Sequence, residues 1–226
     1  MRRACLAGLA VILAAGCGGG DDDARPRRDP IVAAVDRMRH EGGGVRLALR
    51  ARVVGESGVA TYAGETVIDL EGDRWRSRSG PFQQITDVAQ DFVYVRAPGY
   101  RERLPAASRW VRFSAADVPA AEDELREMGV MVERTDPLTV LRTARGTSEG
   151  RREGTLTRYE TTIDTAGGRI AATCWLDDRG QISRARYAYR DYTGKMRVTE
   201  TGDGITVELP SPLRVVEWTE LPVSAR

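Results

Sequence analysis

Two hydrophobic periods divide the chain between residues 29 and 212. From Asp29-Pro30, apolar residues fall at Ile31, Val35 and Met38 with Val32 beside them, a spacing near 3.6. The preceding Asp can cap such a helix and Pro suits its first turn, while Gly42-Gly43-Gly44 ends it. From Val45 the period becomes 2. Val45, Leu47, Leu49, Ala51 and Val53 alternate with Arg46, Ala48, Arg50 and Arg52, which predicts a half-buried antiparallel strand with its odd-numbered residues inward. Further strands are expected at 59–70, 74–78, 92–96 and 110–113. A helix is expected over 114–128, with Ser114 and Asp117 as a capping box and Glu122, Asp123 and Glu124 on its wet side. Asp136-Pro137-Leu138 repeats the helix start, with Leu138 and Leu141 as its apolar stripe. Strands at 155–163, 170–176, 181–189, 196–200 and 205–209 follow, separated by turns at Asp178-Arg179-Gly180, Thr193-Gly194 and Gly202-Asp203-Gly204. The pattern predicts a mainly β (α+β) fold: one long antiparallel sheet with two or three helices.

Ahead of this lies a different segment. Arg2 and Arg3 precede an apolar run from Ala4 to Ala15, which is too short to cross a bilayer and suits the hydrophobic region of a secretory signal peptide. The run closes on Leu13-Ala14-Ala15-Gly16-Cys17, similar to a bacterial lipobox, in which diacylglycerol is joined to the cysteine thiol. Lipoboxes favour Leu three places before the cysteine; here Ala14 holds that place and Leu13 the one before. The organisation expected is a signal peptide at 1–16, lipidated Cys17 opening a flexible tether at 17–28, and one domain at 29–226. A plain secreted protein is the alternative. The tether, with its Gly and Asp runs, cannot bury apolar surface, and Arg25, Arg27 and Arg28 could meet anionic headgroups.

Composition narrows the function. The formal charge is +1 over 226 residues, so nucleic acid is not an expected partner. Basic residues are arginine except for Lys195, and asparagine is absent, a bias of the kind GC-rich coding produces. With Cys5 in the signal segment and Cys17 lipidated, Cys174 has no partner for an internal disulfide and is expected as a small buried hydrophobe.

Catalytic signatures are missing. His40 is the only histidine and sits at a helix end, so neither a His-rich metal site nor a strand-borne triad is expected, and Gly-x-Ser-x-Gly does not occur. Asp177-Asp178 reads as hairpin-turn chemistry, and Asp69-Leu70-Glu71-Gly72-Asp73 as a turn without calcium-loop spacing. Gly42–Gly44 lies between helix and strand, the reverse of a phosphate-binding loop. The expectation is a non-enzyme without cofactor or metal. Ala51, Ala172, Cys174 and Ala185 are small residues at inward positions. A curved sheet lined by them could leave room for a ligand, unless helix side chains fill it.

The order of motifs resembles a known family. The Asp-Pro helix and alternating strand are followed by Tyr94-Val95-Arg96, Trp110-Val111-Arg112 and Asp136-Pro137-Leu138. The hairpin Trp175-Leu176-Asp177-Asp178-Arg179-Gly180-Gln181-Ile182 comes next, then Val207-Glu208-Leu209-Pro210. This order is similar to the LolA-like superfamily and, within it, the actinobacterial LppX/LprAFG-type lipoproteins. The resemblance implies an open antiparallel half-barrel with helices covering its mouth and an apolar cavity that carries lipids or acyl chains. It implies a location on the extracytoplasmic face of the cell membrane, held by a lipid anchor. It transfers no catalytic residue, only the lipidation cysteine onto Cys17. Leu47, Leu49, Ala172 and Cys174 are the expected cavity wall, and lipid or an acylated ligand, with an envelope protein as a further possibility, the expected partner. A non-catalytic sensor or interaction module on the same fold stays open beside the carrier. Trp218, in the tail from Leu213 to Arg226, has no assigned place.

Overall fold

The computed structural model describes residues 28–221 apart from 56–57, 102, 106, 128–131, 133–134, 166–167 and 190–191. The expected signal peptide, Cys17 and nearly all of the tether therefore lie outside the described residues. Among the described residues twelve strands form one open sheet, with four short helices. In chain order these are α1 (Pro30–His40), β1 (Gly44–Gly55), β2 (Gly58–Asp69), β3 (Arg74–Ser79), β4 (Phe82–Asp87), β5 (Phe92–Arg96), α2 (Pro98–Arg101) and β6 (Trp110–Ser114). After them come α3 (Glu122–Glu127), α4 (Pro137–Leu141), β7 (Arg151–Glu153), β8 (Leu156–Thr165), β9 (Gly168–Leu176), β10 (Ile182–Tyr189), β11 (Tyr192–Gly202) and β12 (Val215–Glu217). The sheet order is β12-β6-β5-β4-β3-β2-β1-β11-β10-β9-β8-β7. Two meanders, β1–β6 and β7–β11, are joined through β1 and β11, and only β12 pairs in parallel, with β6. The sheet does not close, as the half-barrel expectation has it.

Both Asp-Pro helices start as the sequence implies. Asp29 Oδ1 accepts from the Ile31 and Val32 amides at 2.9 and 3.4 Å, and Asp136 Oδ1 from the Leu138 and Thr139 amides at 2.9 and 3.0 Å. Ile31, Ala34, Val35 and Met38 of α1 are buried, as are Leu138 and Leu141 of α4. Along β1, Val45 and Leu47 are buried and Leu49 and Ala51 half-buried, while Ala48, Arg50 and Arg52 are exposed. The predicted parity holds from Val45 to Arg52, and the Val53 side chain lies outside the described residues.

Several local expectations fail for definite reasons. Ser114 ends β6, and its hydroxyl and amide bond Asp117 Oδ2 at 2.6 and 3.1 Å to close a turn; α3 begins only at Glu122. Glu124 is not on a wet face, because its carboxylate accepts from the Trp218 indole at 2.9 Å. Thr193-Gly194 is no turn but lies inside β11, where a Cβ on Gly194 would fall 2.2 Å from the Tyr187 ring. Residues 205–209 form no strand. Ile205 and Val207 instead pack on the outer face against Val67, Ile85, Tyr94 and Trp110, and the Val207 amide donates to Asp69 Oδ2 at 3.2 Å. Strands β4, β7 and β12 and helix α2 were not expected.

Candidate functional site

Strand register fixes which side chains share the inner, concave face. Leu49 pairs with Met196, Met196 with Ala185, and Ala185 with Cys174; Tyr187 pairs with Ala172, and Ala172 with Thr161. In the other direction Val45 pairs with Ile68, Ile68 with Trp75, Trp75 with Thr86 and Thr86 with Val93. The concave face thus carries an apolar field over β8–β11 and β1, a more polar stretch over β2–β4, and a second apolar field over β5 and β6.

Helices α1 and α4 cover the first field. Ile31, Val35, Met38, Leu138 and Leu141 share one cluster with Leu47, Ala172, Cys174 and Ala185, and Leu49 packs against its margin. All four expected wall residues therefore meet in space. Leu47 and Cys174 are wholly buried, so in this conformation helix side chains occupy the space beside them. Burial, with a smaller contribution from the Asp29 charge, pushes the Cys174 thiol up to about 12, which makes it an inert packing group.

The cover is held by polar contacts around its rim. Arg39 Nη2 of α1 reaches Asp136 Oδ2 at 2.8 Å and Thr139 Oγ1 at 2.6 Å, and Arg142 Nε reaches Asp36 Oδ1 at 2.8 Å. Thr147 donates to Asp29 Oδ2 and stands 2.8 Å from the Thr161 hydroxyl of β8. Arg37 bonds the Arg179 carbonyl at the β9–β10 hairpin. The two helices are clasped to each other and to one side of the sheet. Towards the β1–β2 hairpin this cover thins, from buried Leu47 through half-buried Leu49 and Ala51 to Tyr62, paired with Ala51 and 54% exposed.

The second field is covered by Tyr100 of α2, Leu125 of α3 and the C-terminal segment, with Trp218 stacked on Phe113 at 5.9 Å. Burial pushes the Tyr100 phenol up, and the nearby Glu124 carboxylate adds to the shift. Between the fields, Gln84 Nε2 donates to Thr86 Oγ1 at 2.9 Å. Two further buried polar atoms on this face, Thr66 Oγ1 and Trp75 Nε1, have no hydrogen-bond partner among the described residues. Leaving such groups unsatisfied costs roughly 1–3 kcal/mol each.

The residues set aside as non-catalytic take structural positions. Asp177 Oδ1 accepts from the Arg179 and Gln181 amides, both at 2.9 Å, and Asp69 Oδ1 from Gly72 at 2.7 Å, the turn chemistry expected of them. His40 is exposed at the end of α1. Among the described residues no group of three or more His, Cys, Asp or Glu could hold a metal ion. A pocket of about 340 Å³ lies away from the concave face, lined by Ala107, Arg109, Leu213 and Arg214. Sequence reasoning did not place Thr66 and Trp75 on one face, since the β2–β3 register, which pairs Thr66 with Ser77 and Ile68 with Trp75, makes them diagonal neighbours.

No family model and no curated protein sequence matches the chain. Solved structures do. An uncharacterised conserved protein of Thermus thermophilus is 9% identical, with a TM-score of 0.46 over 83% of this chain and 96% of its own. Lipoprotein LppX of Mycobacterium tuberculosis is 13% identical, with a TM-score of 0.42 over 80% of this chain and 100% of its own. LprF of Mycobacterium bovis is 12% identical, with a TM-score of 0.45 over 80% and 95%. At these identities the likeness is one of architecture, and function has to be reasoned from this chain's own residues.

Proposed function

We propose that this chain is an envelope lipoprotein, anchored through Cys17 to the extracytoplasmic face of the cell membrane, that binds or carries lipid acyl chains on its concave sheet. The observation that carries this reading is the composition of that face: an apolar field beside two buried donors that have no partner among the described residues. An acyl chain would enter where the cover thins, past Leu49 and Ala51, and lie along Ala172 and Cys174 as α1 and α4 shift outward. The Thr66 hydroxyl and Trp75 indole N–H would then donate to ester or hydroxyl oxygens at the polar end of the lipid. Each buried methylene contributes about 0.8 kcal/mol, so a long chain can offset displacement of the helix side chains without special polar chemistry. No catalytic role is proposed for any residue.

A second reading is favoured by one observation. Leu47 and Cys174 have no exposure under α1 and α4. A core filled in this way suits a non-catalytic sensor or interaction module for an envelope protein.

The test is extraction of lipid from the protein purified from a bacterial host, with mass spectrometry, and titration with a fluorescent fatty acid. The carrier reading expects co-purified acyl lipid. It also expects Ala172→Trp to weaken fatty-acid binding at least tenfold while the fold survives. Absence of lipid from the wild type, together with a large stability loss in Ala172→Trp, would leave the interaction module. Cys17→Ser tests the anchor separately: the variant is expected to leave the membrane fraction after a high-salt wash or to stall in processing, and wild-type fractionation and migration together would refute lipidation.

A further inference from the structure

The outer face of the sheet is treated differently in its two halves. Over β2 and β4–β6 the C-terminal segment lies across it, with Ile205 and Val207 buried. Over β1, β11 and β10 the same face carries cations. Register sets Arg50 opposite Lys195 and Lys195 opposite Arg186 in one row, and Arg197 opposite Arg184 in the next. Arg52 follows Arg50 along β1, and all six side chains are exposed.

Like charges directly opposite each other destabilise a sheet. Several arginines elsewhere on the sheet are neutralised. Arg46 bonds Glu65 and Glu200, Arg74 meets Asp87 at 3.3 Å, Arg152 meets Asp178 at 2.7 Å and Arg158 meets Glu160 at 2.5 Å. Among the described residues none of the six has a carboxylate partner; Arg184 only covers the Trp175 ring, at 4.4 Å. With 34 basic against 33 acidic residues in the chain, six clustered cations are a local concentration and not a property of the whole.

We propose that this face of β10, β11 and β1 docks the domain on an anionic phospholipid bilayer. Three observations favour a bilayer over an acidic protein. The cations are spread over adjacent strands, matching a diffuse negative surface. The residues between them on this face, Ala48, Ala188 and Thr173, are small, and the one aromatic, Trp175, lies under Arg184, so the aromatic anchors of a protein interface are not presented. At the edge of the patch, Val59 of β2, 56% exposed and on the same outward parity, supplies an aliphatic side chain for the headgroup boundary. This docking does not depend on what the concave face binds.

The test uses the full chain with Cys17→Ser, so that no acyl anchor contributes, in co-sedimentation with vesicles of phosphatidylcholine alone or with added phosphatidylglycerol. The wild-type surface is expected to prefer phosphatidylglycerol and to lose that preference in high salt. Each cation removed should weaken binding about fivefold, the fold-change corresponding to about 1 kcal/mol per Lys or Arg near an anionic surface. Arg50→Thr, Arg186→Thr and Lys195→Thr combined should lose roughly 100-fold, keep their melting temperature, and bind fluorescent fatty acid as before. Arg152→Thr removes a paired, exposed charge outside the patch and should change little. No preference for phosphatidylglycerol in the wild type, or equal losses in Arg152→Thr and Arg50→Thr, overturns the proposal. Capture by immobilised polyglutamate without vesicle binding also overturns it, in favour of an acidic protein partner.

Discussion

The clasp between α1 and α4 can be measured at one residue. Asp136 accepts four hydrogen bonds: from the Leu138 and Thr139 amides, from the Thr139 hydroxyl at 2.6 Å, and from Arg39 Nη2 at 2.8 Å. Its side chain is 10% exposed and that of Arg39 26%, so the pair is partly desolvated. Asp136→Ala removes a helix cap, at about 1 kcal/mol, and a charge-assisted hydrogen bond, at roughly 1.5–3 kcal/mol. A total of about 2.5–4 kcal/mol follows, towards its lower end because Arg39 keeps some contact with water. Asp136→Asn keeps a capping oxygen and loses the charge, so it should fall between Ala and wild type. The assay is equilibrium denaturation in urea, with the shift taken from the midpoint at constant slope. The same variants should exchange fluorescent fatty acid faster if the helix pair is the cover of a lipid site. A loss under about 0.5 kcal/mol for Ala, well below the cap alone, or identical losses for Ala and Asn, would refute the assignment of Asp136 as both cap and clasp.

Leu47→Asp should abolish folding or cost several kcal/mol by burying an unpaired charge, whereas Arg50→Asp should be mild; equal effects in circular-dichroism melts would contradict the observed parity. Cys174 should resist a thiol reagent in the native protein and react on unfolding. Its thiol rises from an ordinary value near 9 to about 12, so the folded state holds a proton that the unfolded state gives up. This contribution to stability is complete below pH 9 and lost as pH climbs towards 12; Cys174→Val should flatten that part of the stability–pH curve relative to wild type. Trp218→Phe keeps the stack on Phe113 but loses the bond to Glu124, so it should cost about 1 kcal/mol, and Trp218→Ala distinctly more, read from urea midpoints.

Elements with a local cause were legible in the sequence. The Asp-Pro caps define α1 and α4 because capping needs only neighbouring residues, and β1 declares itself because its inward residues are buried or half-buried from Val45 to Ala51 while Ala48, Arg50 and Arg52 are exposed. Strand β4 was missed because it crosses the polar stretch of the concave face. Gln84 and Thr86 point inward there and Ile85 outward, which inverts the expected pattern. The alternation at 205–209 is real, but it serves a segment lying on the sheet's outer face and not one hydrogen-bonded in its plane. Gly194 looked like a turn residue, yet its missing side chain makes room for Tyr187 across the strand pair. The four proposed wall residues could be grouped by parity alone. Their cover, the unpaired donors at Thr66 and Trp75, and the merging of Arg50, Arg186 and Lys195 into one patch all depend on register between distant strands.

The sheet's connectivity also sets an order of assembly. β1 is the first strand in the chain yet lies in the middle of the sheet, and its second neighbour, β11, begins about 140 residues later. The outer side of β6 is paired later still in the chain, when Val215–Glu217 arrive. Each meander can form from adjacent hairpins, but joining them closes long loops, which is the slow part of folding. A chain emerging from its N-terminus would therefore expose the open edges of β1 and β6 until nearly all of it had emerged. Were the chain exported as proposed above, this delay would be an advantage: the tertiary structure could not lock before its last strands had reached the far side.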